Sequence, residues 1–242
     1  MQVSVVVPAF NEEKLIGDTL RSIQSALAPF TQAGWQTQLL LCNNNSTDRT
    51  AELAAAAGAT VVFEPVNQIA RARNTGAAAA TGDWLIFVDA DSQPSPELFA
   101  DVLGAIARGD VIAGGATVTL EGEQHPIASA VVSFWNAVSR LRNWAAGSFI
   151  FCEAGAFRAV GGFNLDLYAS EEIFLFKKLK KKARADRKRI LILHKHPLVT
   201  SARKMRLYTP GEHLKFLAKT VFQFGRTLKD PKECHTWYDG RR

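Results

Sequence analysis

With 242 residues, 47% of them hydrophobic and 21% charged, the chain has the composition of ordinary globular protein and fits one large α/β domain or two small ones. No apolar run reaches the ~18 residues needed to cross a bilayer, and the N-terminus carries no basic n-region or cleavage site of a secretory signal. Cys42, Cys152 and Cys234, odd in number and without CxxC spacing, argue against a disulfide framework and a zinc cluster, so a cytoplasmic location with reduced thiols is expected.

Residues 3–7 form a β-branched run closed by Pro8, and Asn11, Glu12 and Glu13 then open a helix whose apolar residues Leu15, Ile16, Leu20, Ile23 and Leu27 recur at helical spacing. A short strand over 39–42 follows. The polar stretch 43–48 caps an alanine-rich helix over 49–57, and Gly58 ends it. The pattern repeats with a strand over 61–63, a helix over 69–80 carrying Arg71, Arg73 and Asn74, and a strand over 84–88. Strands and helices alternating at this spacing imply right-handed βαβ units and a mostly parallel sheet. No GxGxxG follows the first strand and no GxxxxGK[ST] occurs, which disfavours a dinucleotide-binding dehydrogenase and a P-loop NTPase.

Further on, helices are expected over 95–107 and 127–144, with a strand over 111–120 between them. Trp135 and Trp144 serve packing, and Arg140 and Arg142 lie near the second helix's end. Residues 148–153 are strand-like, Gly161, Gly162 and Phe163 make a turn, and Glu171 and Glu172 start a helix through about residue 182. A strand over 190–193 leads to His194 and His196, a loop over 200–204, and a final helix over 210–228 with Leu214, Leu217, Val221 and Phe224 on one side. No low-complexity linker or internal repeat interrupts the chain, so one continuous domain over 1–242 is expected. Its charge is uneven: residues 1–150 hold 8 Lys and Arg against 14 Asp and Glu, residues 151–242 hold 21 against 9, and the total is +6. The second part suits a diphosphate, another polyanion or an anionic membrane surface.

The apolar run 84–88 stops at two carboxylates, Asp89 and Asp91. Residues i and i+2 of an extended segment point to one side, so the pair is able to converge on one cation or one diphosphate-bearing ligand. Ligands of open α/β sheets gather at the carboxyl ends of strands, where this pair lies. The competing explanation is an acidic turn that caps the helix opened by Ser95, Pro96 and Glu97.

Four ordered segments over about residues 1–205 resemble the family 2 glycosyltransferases, inverting enzymes with the GT-A fold. The stretch from Val5 to Glu13 looks like the family's first strand and nucleotide-contacting loop. The stretch from Asn43 to Thr50 resembles its second-strand motif. Arg71 to Gly76 with Ala80 to Asp83 resembles the helix that feeds the metal strand, and Asp89-Ala90-Asp91 looks like the DxD. The stretch from Phe157 to Phe163, followed by Glu171 and Glu172, looks like the acceptor-side turn and the acidic pair. The resemblance implies a GT-A sandwich with a mostly parallel central sheet and helices on both faces. Residues 1–120 are then the nucleotide-binding half, 121–205 the acceptor-side half, and 206–242 a basic C-terminal helix and tail.

On the same resemblance Pro8, Phe10, Asn11, Glu12, Asn44, Arg73, Asp89, Ala90 and Asp91 bind the nucleotide sugar. Arg203 and Lys204 contact its diphosphate, as a planar fork of donors and a point charge. Mg²⁺ or Mn²⁺ is held by Asp91 and Asp89 with Gln93 as a neutral oxygen, and one of His194 and His196 is a candidate further ligand. A hydroxyl nucleophile needs a base on the face opposite the diphosphate, and the resemblance puts Glu172 in that position, with Glu171 as alternate. The partners implied are a nucleoside-diphosphate sugar and a hydroxyl acceptor, a lipid-linked one included, with no nucleic acid and with the final helix as a candidate for peripheral membrane contact. Two departures stand out. Asn44 replaces the usual aspartate, leaving the choice between uracil and guanine open, and Thr200 to Met205 replaces the processive enzymes' QxxRW, which favours single transfer. A nucleotidyltransferase would need a glycine-rich basic loop after the first strand, which residues 8–13 lack. A non-catalytic sugar-nucleotide-binding module with a basic tail is the other alternative.

Overall fold

The computed structural model describes residues 1–122, 126–203, 226–230 and 234. One eight-stranded sheet runs through them. Its strands are β1 (Gln2–Ala9), β2 (Gln36–Asn43), β3 (Thr60–Phe63), β4 (Trp84–Val88), β5 (Ser92–Gln93), β6 (Val111–Leu120), β7 (Phe149–Glu153) and β8 (Arg189–Thr200), in the order β3-β2-β1-β4-β7-β6-β8-β5. The pairs β3–β2, β2–β1, β1–β4 and β6–β8 are parallel, and β7 sits antiparallel between β4 and β6. The first half is therefore the parallel βαβ array that the alternation implied, and one reversed strand joins it to the rest.

Helices cover both faces. Along β1, Val3, Val5 and Val7 enter one core and Val6 the other; along β4, Trp84, Ile86 and Val88 divide from Leu85 and Phe87 in the same way. A strand buried on both faces reads as a continuous apolar run, which is why these segments show no polar alternation. The first core takes residues from α1 (Ile16–Ala26), α2 (Ala28–Gln32), α3 (Thr50–Ala56) and α5 (Pro96–Ala107), with Val132 and Trp135 of α6 (Pro126–Arg142) packed against it. The second core takes α4 (Ile69–Ala79), α7 (Ala154–Ala159) and α8 (Glu171–Ala185). All three cysteines are buried, and none is joined in a disulfide.

Where the elements depart from expectation, local chemistry explains the difference. Helix α1 starts at Ile16 because Asn11 turns the chain at φ 51°, and the Glu12 and Glu13 amides donate to Thr50 Oγ1 (2.7 Å) and Asp48 Oδ2 (3.1 Å) instead of a helical turn. Pro8 lies within β1 rather than ending it. Pairing with β4 stops at Val6, so the missing N–H breaks no ladder on that side. Strand β8 continues past Leu193 because Leu198, Val199 and Thr200 pair with Val118, Thr119 and Leu120 beyond a register shift, which leaves His194 to Pro197 outside the ladder. The short α2, α7 and β5 carry too few residues for periodicity to betray them. Lys204 and most of the expected final helix lie outside the described residues; Arg226–Lys229 forms a 3₁₀ turn.

Gly76 lets α4 approach β1, since a Cβ there would lie 2.4 Å from Val6 Cγ1. Gly76→Ala is expected to destabilise the fold by about 1–3 kcal/mol through overpacking. Urea unfolding measures this, and an unchanged midpoint would show that the contact relaxes freely.

Candidate active site

The turn after β4 is held by main-chain bonds on several sides. Asp89 N donates to Ser148 O (3.2 Å), Ser92 N to Asp89 O (3.1 Å), and Ser201 N to Asp91 O (3.0 Å), while Ala90 O accepts from Thr19 Oγ1 (2.8 Å). Strand β5 pairs with the end of β8, Ser92 opposite Thr200. Ala90 is buried in the first core, and the bond from Ser92 N to Asp89 O makes 89–92 a turn rather than the extended segment expected from the sequence.

Asp89 meets Arg73, which is 1% exposed. Arg73 Nη2 donates to Asp89 Oδ1 (2.8 Å) and to Gly147 O (2.8 Å), and Nη1 donates to Glu171 Oε1 (2.6 Å). The guanidinium carbon lies 5.2 Å from the centroid of the Phe163 ring, a cation–π arrangement that adds to its seating. Next to it on α4, Asn74 donates from Nδ2 to Phe163 O (2.9 Å) and accepts at Oδ1 from Phe163 N (3.0 Å). The preceding Gly162 has φ +61°, and a Cβ there would stand 2.6 Å from Asn74 Oδ1. Helix α4 thus fastens the DxD turn, the 161–163 turn and the start of α8 with two consecutive side chains.

Glu172 borders the same cluster. A Cβ on Gly147 would lie 3.4 Å from Arg73 Nη2 and 3.8 Å from Glu172 Oε2, which places the Glu172 carboxyl beside the Arg73 hub while leaving it partly accessible. Burial pushes its pKa up to about 8, the neighbouring Glu171 charge adds to the rise, and Arg73 opposes it.

A second fork joins two residues far apart in the sequence. Arg203 Nη1 and Nη2 donate to Glu12 Oε2 (2.8 Å) and Oε1 (2.7 Å), across 191 residues of sequence, and Nη2 stands 3.7 Å from Asp91 Oδ2. Glu12 belongs to a loop laced to the loop after β2: Asn11 N donates to Ser46 Oγ (3.0 Å), Thr47 N to Asn11 Oδ1 (2.8 Å), and Arg49 N to Glu13 Oε2 (3.2 Å). Asn44, expected to contact the base, is also a clamp within the protein. Its Nδ2 donates to Glu64 O (3.2 Å) and Val66 O (2.6 Å), and its Oδ1 accepts from Gln68 N (2.9 Å), so the side chain clamps the loop before α4.

The sequence-selected residues therefore fall into two linked groups: Arg73, Asp89, Glu171 and Glu172 in one, Glu12, Asp91 and Arg203 in the other, with the DxD turn as their junction. Gln93 lies in β5 opposite Val199, Pro8 is buried in β1, and Phe10 is half-buried in the following loop. His196 is turned away to Asp101 of α5 (Nδ1 to Oδ2, 2.9 Å), and His194 is exposed. Among the described residues no group of three or more His, Cys, Asp or Glu is placed to hold a metal. Two carboxylates on one turn nevertheless fit Mg²⁺ or Mn²⁺, hard cations that are commonly held by one or two carboxylates together with substrate phosphates. Sequence reasoning missed Gly147, Glu64 and Gln68. Gln68, which donates from Nε2 to Leu165 O (2.8 Å) and Leu167 O (2.9 Å), gave no signal beyond its place before a helix.

Residues 4–160, well over half of the chain, match the family model described as Glycosyl transferase family 2. The chain belongs to this family. A glucosyl-3-phosphoglycerate synthase of Mycolicibacterium smegmatis is 34% identical over 117 residues, 45% of this family 2 chain and 37% of that relative. Among solved structures, S. aureus TarS 1–349 in complex with UDP-GlcNAc superposes with a TM-score of 0.67 at 19% identity, covering 98% of this chain and 69% of that one. Glucosyl-3-phosphoglycerate synthase from Mycobacterium tuberculosis, in complex with Mn²⁺, UDP and phosphoglyceric acid, gives 0.61 at 20% identity, covering 91% and 76%. The fold is that of the GT-A glycosyltransferases.

Removing Arg73 would leave two acids beside it without their cation. Arg73→Met is expected to cost about 3–5 kcal/mol in chemical denaturation, and Glu171→Gln in the same chain should recover part of that loss; additive losses would show the pair to be uncoupled.

Proposed function

We propose that the chain is a metal-dependent inverting glycosyltransferase that moves one sugar from a nucleoside-diphosphate sugar to a hydroxyl acceptor, lipid-linked acceptors included. Residues 1–120 handle the nucleotide and 121–205 the acceptor. The observation that carries this reading is the Arg73 bridge, which puts Asp89 of the DxD and the Glu171–Glu172 pair around one guanidinium. Family membership supports the donor class, and metal-bound relatives support the cation.

In this mechanism Glu172 takes the proton of the acceptor hydroxyl as its oxygen attacks the anomeric carbon. The bond from that carbon to the diphosphate oxygen breaks on the opposite face, so the centre inverts. Glu171, tied to Arg73, fixes the start of α8 and thereby aims its neighbour. Arg203, oriented by the Glu12 fork, stands beside Asp91 with N–H groups suited to diphosphate oxygens. When bound by Asp91 and Asp89, with Gln93 contributing a neutral oxygen, Mg²⁺ or Mn²⁺ would neutralise charge on the leaving diphosphate. Asn44 contacts the base through its amide oxygen while its other bonds fix the 64–68 loop.

Asp91→Ala should abolish sugar transfer while the melting temperature without ligand stays near that of the wild type, and the Mn²⁺-dependent thermal shift with UDP-sugars or GDP-sugars should vanish. Full activity in this variant would remove the metal from the mechanism. A base must be deprotonated to act, and burial raises the Glu172 pKa, so kcat/KM should climb as pH rises through about 8. Glu172→Gln should lower kcat about 10²–10⁴-fold and flatten that profile without loss of donor binding; a persisting profile would assign the titration to another group.

A further inference from the structure

Helix α6 has one face seated and one face bare. On the seated side Val132 and Trp135 pack against the core, and Asn136 brackets Val118, accepting from its N–H (3.0 Å) and donating to its carbonyl (2.8 Å). On the other side Val131, Phe134 and Leu141 are 54%, 72% and 81% exposed, and Ala130 and Ala137 are exposed with them. At 3.6 residues per turn these five fall within an arc of about 120°. No acid occurs between residues 126 and 142, and the only charges are Arg140 and Arg142 at the helix end.

The basic border continues on the neighbouring helix. Lys180 of α8 donates to Arg142 O, and the cations of Lys180 and Arg142 lie 5.4 and 5.9 Å from the Trp144 ring. Lys177 sits 4.7 Å over the ring of Phe174, itself exposed. After Glu172, α8 carries Lys177, Lys178, Lys180, Lys181, Lys182 and Arg184 and no acid.

We propose that the outward face of α6, with its basic border on α8, docks on an anionic lipid bilayer. Charge selects this occupant. A second copy related by a two-fold axis would set the same basic border against itself, and residues 204–225 carry Lys204, Arg206, Lys215 and Lys219 against one acid, Glu212. An anionic membrane accepts the apolar arc and the cations together, the two signals that stable peripheral binding requires, with Trp144 at the boundary between them. The segment leaving α6 ends at Gly147, which touches Arg73 and borders Glu172. Docking would turn the acceptor side toward the bilayer. That consequence rests on the transfer reading; the surface itself does not.

The full chain should float with vesicles of phosphatidylcholine plus phosphatidylglycerol, not with phosphatidylcholine alone, and should release as salt rises. Phe134→Glu and Leu141→Glu should each lower the bound fraction about tenfold or more, and Arg140→Glu with Arg142→Glu should lower it several-fold, with unchanged melting and unchanged Mn²⁺-dependent shifts by UDP-sugars. Absence of vesicle binding by the wild type, or equal binding by Phe134→Glu, overturns the proposal. So does binding lost through Lys215→Glu with Lys219→Glu but not through α6, or a concentration-dependent dimer in sedimentation that Phe134→Glu dissolves. Failure of every nucleotide sugar to bind the wild type would instead count against the transfer reading alone.

Discussion

A single buried guanidinium organises this protein. Arg73 is held away from water by Phe163, Gly147 and two carboxylates, and its charge is tolerable there only because both acids are present. The acids gain as much from it. Asp89 ends a parallel strand from the first half and Glu171 opens a helix from the second, so the ion pairs are also the tie between them. Arg73 donates on three fronts from two nitrogens, a fan that a lysine ammonium would not reproduce in the same plane. Asn74, one residue on, does for the 161–163 turn what Arg73 does for the acids, through two backbone bonds.

Much of the parallel half was legible in the sequence because burial on both faces leaves an unmistakable print. The run 84–88 stood out as a strand and is one, and the helix over 69–80 differs from α4 by a single residue at its end. Asp89, Arg73 and Glu171 were all selected from motifs, and the structure brings them into contact. What sequence did not disclose is how they meet, since Arg73 and Glu171 are 98 positions apart. Asn44 looked like a ligand contact because it follows a strand in a motif. Its side chain also bonds Glu64, Val66 and Gln68, partners that no spacing rule connects to it. The late start of α1 had the same origin: the residues that resembled a helix opening are bound sideways to a neighbouring loop.

The site is also an electrostatic compromise. Three acids crowd Arg73, and burial, reinforced by the Glu171 charge, makes Glu172 hold its proton more tightly than an exposed glutamate does. The other end of the site is better balanced, because Arg203 faces Glu12 squarely and only approaches Asp91. Charge thus falls off from the Glu12 fork towards the acidic pair.

Strand β7 runs against its neighbours. Reversal brings the segment that precedes it, residues 143–148, to the same rim as the carboxyl end of β4, where Ser148 receives the Asp89 amide. Evolution can therefore recut that border by lengthening or replacing a connector, without disturbing the register of any parallel ladder. A lineage built on this frame would keep its parallel ladders and vary the rim beside them.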